Sequence, residues 1–391
     1  MRMSMMGFKR SLFIAFAATM CLMGLSKTQA AELGETWTSA RALGMGNAYT
    51  AVARDGDALF YNPAALARVS GFHWTIMDPR GGLNGTQALD VAQIAGNSGT
   101  LANKINNLYG KTVWVGGGAK TSFIFPYFGF AGFANGDVGI NMQNPAYPQM
   151  NLNYIFDYGL AMGAALDLVP SIWSIGITAK RINRTGTNLP LGPSVLATLD
   201  ENQIQQSLKS RGTGYGLDFG TMVTIPSPIR PTVAFTIRNL GYTEFTHDEG
   251  LSAPPRAEPD MTLGASLSFD TFLVTVTPSI DYRYFDRADI QTGKKLHMGI
   301  DIDLPLLSLR GGLNQGYWTA GVGLDLGMIS IDAASYGVEL GEYPGQLEDR
   351  RYMAQLKIEL GIDGDFFSFG KGSGPDGSGS GGGRRRLKQR R

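Results

Sequence analysis

Met150-Asn-Leu-Asn-Tyr-Ile-Phe-Asp-Tyr-Gly-Leu-Ala-Met-Gly-Ala-Ala-Leu-Asp-Leu168 is the stretch whose reading decides the fold. Every second residue is apolar: Met150, Leu152, Tyr154, Phe156, Tyr158, Leu160, Met162, Ala164, Leu166 and Leu168. Between them stand Asn151, Asn153, Ile155, Asp157, Gly159, Ala161, Gly163, Ala165 and Asp167. A repeat of two is the repeat of an extended strand, whose side chains alternate between faces. In a soluble sandwich the apolar face points inward and is built from Val, Ile and Leu, while the other face carries Lys and Glu. Here the apolar face is long and aromatic and the polar face is small, which is the pattern of a wall with lipid outside and a crowded polar interior.

The same chemistry recurs along the chain. Tyr215, Leu217, Phe219 and Val223 oppose Gly214, Gly216, Asp218 and Gly220. Met261, Leu263, Ala265 and Leu267 oppose Thr262, Gly264 and Ser266, and Leu296, Met298, Ile300 and Ile302 oppose His297, Asp301 and Asp303. Trp318 to Leu326 and Tyr352 to Leu360 repeat the alternation. From a first strand at Gly71 to Asp78, connections alternate in length. A long one at 79–118 is followed by a tight Asn135-Gly136 turn, 144–149, Val169-Pro170, a long one at 184–210, Pro226-Ser227-Pro228, a long one at 241–257 and Asp270-Thr271. Then come 287–293, Pro305, 314–316, Gly327 and 341–347. Within the first long connection, 87–108 reads as helix. Long loops at one end and short turns at the other are the barrel pattern, and the count is about fourteen strands. The expected fold is therefore all-β, an antiparallel transmembrane β-barrel spanning 71–369.

Composition agrees. The 391 residues include 53 glycines with 17% charged residues, and the formal net charge of +1 gives no attraction to nucleic acid. Basic Arg2, Lys9 and Arg10, an apolar core from Leu12 to Leu25, and small Ala30 and Ala31 form the layout of a cleavable signal peptide over 1–30. The sole cysteine, Cys21, lies inside it, so the exported chain has no thiol chemistry. Past the signal no apolar run reaches the ~20 residues of a spanning helix. Export and strands together predict the bacterial cell outer membrane, with its lipid as the surrounding partner.

Between signal and barrel, 31–70 is neither strand-like nor polar. Its centre, Ser39 to Ala67, is rich in Ala and Gly, carries Gly44-Met45-Gly46 and the split acidic pair Asp55 and Asp57, and ends at the Asn62-Pro63-Ala64 turn. These motifs resemble the N-terminal segment of the outer-membrane fatty-acid and hydrocarbon transporter superfamily, whose secretion-shuttle and plasmid-transfer relatives share the same barrel. Gly56 within the acidic pair and Ala65, where Gly is usual, depart from the pattern. The resemblance implies a plug inside a barrel of the same strand number. It also implies passive uptake of a hydrophobic small molecule through the lumen, such as a long-chain fatty acid or hydrocarbon. The alternative is a structural or shuttle barrel of a secretion or transfer system, gripping a protein partner at its outer loops or basic tail. The family's lateral opening at a bent early strand implies a candidate exit at Pro126, Gly139 and Pro145, where the Asn135-Gly136 turn would leave only 137–142 as strand.

Enzymatic motifs are missing. His73, His247 and His297 lie far apart with no metal-ligand spacing, and no phosphate loop or dinucleotide fingerprint appears, so no cofactor and no metal is expected. Asp157, Asp218, Asp281, Arg283, Asp301, Asp303 and Asp325 fall on the lumen side and read as a solvated interior. After Phe367 and Phe369, candidates for the barrel's last residue, a Gly/Ser linker and the basic block Arg384 to Arg391 form a tail over 370–391.

Overall fold

The computed structural model describes residues 34–85, 110, 112–143, 149–192, 210–247, 252–271 and 273–362. The expected signal peptide over 1–30, the expected helix at 87–108, Pro145 and the expected tail over 370–391 lie outside these residues.

Alternating sequence becomes one antiparallel sheet closed on itself. β1 is an interrupted strand, Phe72–Met77 and Arg80–Leu83, broken at Asp78-Pro79, where proline has no N–H to give the ladder. It is followed by β2 (Thr112–Phe125), β3 (Phe128–Gln143), β4 (Gln149–Val169), β5 (Trp173–Leu191), β6 (Arg211–Thr224) and β7 (Thr232–Arg238). β8 is again in two pieces, Asp260–Ser266 and Phe269–Asp270, both paired with β9 (Thr275–Tyr282). β10 (Leu296–Asp303), β11 (Leu307–Asn314), β12 (Tyr317–Asp325), β13 (Ile329–Glu339) and β14 (Glu348–Ile362) complete the set. Both halves of β1 pair with β14 on one side and β2 on the other, so the first and last strands meet and no edge is left. Two interrupted strands among sixteen paired segments make fourteen strands.

The connections expected at 79–118 and 184–210 are shorter than read, because Arg80–Leu83, 112–118 and 184–191 are strand, and one expected turn is absent. Asn135 and Gly136 are not a turn: they lie inside β3, paired with Asp157 and Phe156 on one side and Gly118 and Gly117 on the other. The chain reverses instead at Pro126-Tyr127, where Tyr127 takes a positive φ of 68°. Asn-Gly is a strong turn signal only when the flanking strands can end there, and the unbroken run of fourteen cross-strand pairs from Thr112 to Phe125 leaves no reason to stop. Correspondingly, β2 begins at Thr112 rather than near Lys120.

Faces follow the alternation. Tyr158, Leu160, Leu166, Leu217, Leu263, Met298, Trp318 and Tyr352 are exposed on the outer surface. Asp157, Asp218, Thr262, His297, Asp301, Thr319 and Gln355 are buried on the inner one. Counting residues up from the short turns places outward Ile177, 53% exposed, four steps above Trp173 on β5. At about 3.3 Å per residue and a tilt near 40°, that is ~10 Å into a belt ~25 Å tall. Leu160 pairs with Arg181, eight steps up, near the belt's upper edge. Ile177→Arg should therefore cost ~2–4 kcal/mol and Leu160→Arg only ~0–1 kcal/mol. Unfolding of both variants in lipid, followed by heat-modifiable gel mobility, checks this; equal costs would contradict the belt.

Candidate functional site

Residues 35–69 are held inside the barrel. Trp37, Ala40, Ala42, Leu43, Met45, Ala48, Tyr49, Ala58, Leu59, Phe60, Tyr61, Ala64 and Leu66 are all buried. Local chemistry sets the path. Ser39 caps α1 (Ala40–Gly44), its Oγ accepting the Ala42 N–H at 3.3 Å. Gly46, at φ +64°, turns the chain out of that helix. Asp55–Asp57 forms a 3-10 turn leading into α2 (Ala58–Tyr61). Asn62 then caps the 3-10 helix Pro63–Arg68: its Oδ1 accepts the Ala64 N–H at 3.1 Å, and Pro63 occupies the first helical position, where a missing N–H costs nothing. The Asn62 Nδ2 donates to the Thr50 carbonyl at 3.1 Å and ties the second half of the segment to its middle.

The inward glycines of the wall exist for this backbone. A Cβ on Gly176 (β5) would sit 2.5 Å from Pro63, and one on Gly220 (β6) 2.9 Å from the Pro63 ring. On the opposite side, a Cβ on Gly299 (β10) would overlap the Met45 carbonyl, and one on Gly312 (β11) would lie 2.9 Å from the Gly46 nitrogen. Gly44 and Gly321 (β12) meet backbone to backbone, 3.0 Å from a Cβ position to the facing Cα. Gly163 (β4) accepts Leu59 and Leu66. The two sequence motifs are thus seated on two opposed glycine faces.

Irregular buried backbone needs partners, and the wall supplies them. Thr319 Oγ1 donates to the Gly44 carbonyl at 2.9 Å, His297 Nδ1 to that of Gly46 at 2.9 Å and Ser279 Oγ to that of Ala48 at 2.8 Å. Asp281 Oδ2 accepts the N–H groups of Tyr49 and Thr50, both at 2.9 Å, and Gln355 Oε1 accepts that of Ala40 at 2.6 Å. Charges are matched as well. Arg41 pairs with Asp301 and, at 3.0 Å, with Asp303; Asp57 pairs with Lys120 at 2.5 Å; Glu35 pairs with Arg283 at 2.5 Å and lies 3.7 Å from Arg238. The Trp37 ring lies 4.3 Å from the Arg80 guanidinium and 4.9 Å from the Lys120 ammonium. Burial by itself would raise the Glu35 carboxyl, yet Arg283 and Arg238 hold it below the ordinary carboxylate range, and Lys120 does the same for buried Asp57.

All eight motif residues therefore fall within this one body: Gly44, Met45, Gly46, Asp55, Asp57, Asn62, Pro63 and Ala64. Four of the six lumen carboxylates read as solvated are ion-paired, Asp301 and Asp303 with Arg41 as above, while Asp281 accepts backbone N–H groups of the segment and Asp325 accepts the Gly327 N–H at 2.8 Å. Asp157 meets Arg184 at 2.7 Å and Asp218 meets Lys180 at 2.7 Å. Of the exit expected at Pro126, Gly139 and Pro145, Pro126 sits in the turn and Gly139 is in register with Trp114 and Asn153, so the wall is continuous at Gly139; Pro145 lies outside the described residues. His73, which sequence spacing set apart, comes together with Asp55 and Glu359, their ligand atoms within 4.8 Å of one another. Lys357 Nζ stands 3.5 Å from Asp55 and 3.2 Å from Glu359 and supplies a positive charge there. Alternation placed His297 on the inner face, but nothing in it marked His297, Thr319 or Ser279 as holders of the segment.

Neither a protein-family profile nor a curated protein matches this sequence. Among solved structures, the chain is similar to a TodX mutant, a monoaromatic hydrocarbon channel, at 13% identity and a TM-score of 0.49, covering 82% of this chain and 98% of that one. It is similar to the Ralstonia pickettii toluene transporter TbuX at 12% identity and a TM-score of 0.49, covering 83% and 98%. It is also similar to a Pseudomonas aeruginosa FadL homologue at 12% identity and a TM-score of 0.49, covering 85% and 100%.

Proposed function

We propose that this protein is an outer-membrane channel for the passive uptake of hydrophobic molecules, closed at rest by residues 35–69. The short-turn end of the barrel lies in the periplasm and the loop end outside. Support for a channel comes from the seated segment and its resemblance to the transporter superfamily's plug. Support for an apolar solute comes from one observation. At the loop end of the lumen, apart from the larger apolar cluster that packs the rest of the segment, Trp114, Tyr336, Val338 and Met353 form a buried apolar cluster with Ala40 and Leu43 of α1. A long acyl chain or a hydrocarbon entering from outside gains by burying itself there, at roughly 25 cal/mol per Å² of apolar surface. That surface is already covered by α1, so binding competes with the helix. Displacing α1 loosens the Gly44 and Gly46 contacts, and the solute moves down its gradient without energy input.

Three variants test this. Deleting Arg41 to Asp57 should raise permeability to small dyes in cells whose barrel remains heat-modifiable; unchanged permeability in that folded variant would sink the closing role. Gly176→Val, which pushes Pro63 off β5, should leave the barrel intact while proteolysis within 35–69 accelerates. For the solute, Met353→Asp should slow accumulation of a fluorescent acyl-chain probe several-fold at unchanged barrel abundance. Uptake as fast as in the parent chain would take the apolar cluster out of the route.

A further inference from the structure

The outer face of the wall carries one arrangement that neither the segment nor the uptake route uses. On β5, Arg181 points outward and is exposed. Its cross-strand neighbours are Leu160 on β4 and Tyr215 on β6, which at 65% and 73% are the most exposed large apolar side chains among the described residues. One row nearer the loops, Tyr158 is in register with Asn183, two residues along β5 from Arg181. Other charged groups on the described outer wall have protein partners: Arg350 pairs with Glu348, donates to the Trp318 carbonyl at 2.6 Å and lies 4.0 Å from the Trp318 ring. Among the described residues Arg181 has no hydrogen bond or ion pair, and the hydroxyls of Tyr158 and Tyr215 have none either.

We propose that Arg181, with the hydroxyls of Tyr158 and Tyr215, binds the phosphate of a phosphorylated glycolipid in the outer leaflet. The site rests on the outer-membrane reading of the barrel. Its height fits that reading: eight residues above Trp173, Arg181 stands ~20 Å up a belt ~25 Å tall, at the level where head groups begin. Its chemistry fits as well. A guanidinium presents a planar fork of donors that matches phosphate oxygens, and two flanking tyrosines offer O–H donors from rings that sit comfortably at an apolar boundary. Met162 and Leu217, both in register with Ala179 one row below Arg181 and both exposed, provide an apolar surface along which the acyl chains lie. A cation placed at the top of an apolar belt with no anion beside it among the described residues is complementary to the anion that the membrane itself supplies at that depth.

The test uses the full-length protein in detergent, with native mass spectrometry counting bound lipid after titration with bisphosphorylated lipid A. The expected result is one lipid equivalent whose affinity falls roughly tenfold in Arg181→Ala, is retained within a few-fold in Arg181→Lys, and is unchanged in Arg230→Ala at the opposite end of the barrel. Dephosphorylated lipid A should bind the parent chain as weakly as lipid A binds Arg181→Ala. Equal affinities for the parent chain and Arg181→Ala, or for the two forms of lipid A, would overturn the phosphate site. Loss of heat-modifiable mobility in the parent chain itself would instead remove the membrane barrel on which the site depends, and the site with it.

Discussion

Backbone lies directly against backbone where Gly44, Met45 and Gly46 meet Gly299, Gly312 and Gly321, and where Pro63 meets Gly176 and Gly220. The rest of the molecule depends on that approach. A barrel of fourteen strands leaves a lumen too wide for its own side chains to close. Filling it with a folded segment demands that wall side chains be absent wherever the segment's main chain passes. Glycine at those inward positions meets the demand, and the same positions account for part of the chain's high glycine content. The cost is a wall with little self-made packing at those rows, so segment and barrel stabilise one another.

Close approach would be futile if it stranded polar groups. The segment has short helices and turns whose N–H and C=O groups lack regular ladder partners, and burial without partners would cost ~1–3 kcal/mol for each. Thr319, His297, Ser279, Asp281 and Gln355 answer them individually, from β9, β10, β12 and β14. The ion pairs of Arg41, Asp57 and Glu35 add a second kind of fit, since removing one partner would leave a buried charge alone. This specificity makes one seated position much better than any other, while leaving it reversible because no covalent link holds it.

Much of this was legible in the sequence, for a physical reason. A strand facing lipid on one side and a crowded lumen on the other records both environments in alternate residues, so Met150 to Leu168 revealed the wall, its faces and, with its repeats, the strand number. Gly44-Met45-Gly46 and Asn62-Pro63-Ala64 marked the segment because tight turns restrict residue type. The Asn135-Gly136 error arose because a turn dipeptide is a local signal, and here the ladder on both sides of β3 overrode it. The ion pairs and backbone contacts of the segment were not legible, because they join residues such as Arg41 and Asp301 that only closure of the barrel brings together.

Amide hydrogen exchange of the folded protein in detergent measures the central claim most directly. If the segment is seated on the wall as described, the amides of Tyr49 and Thr50, both donated to buried Asp281, exchange as slowly as those of β4 and β5. In Asp281→Ala they should exchange much faster while β4 and β5 remain protected. Exchange of Tyr49 and Thr50 within seconds in the parent chain, with the strands still protected, would contradict the account.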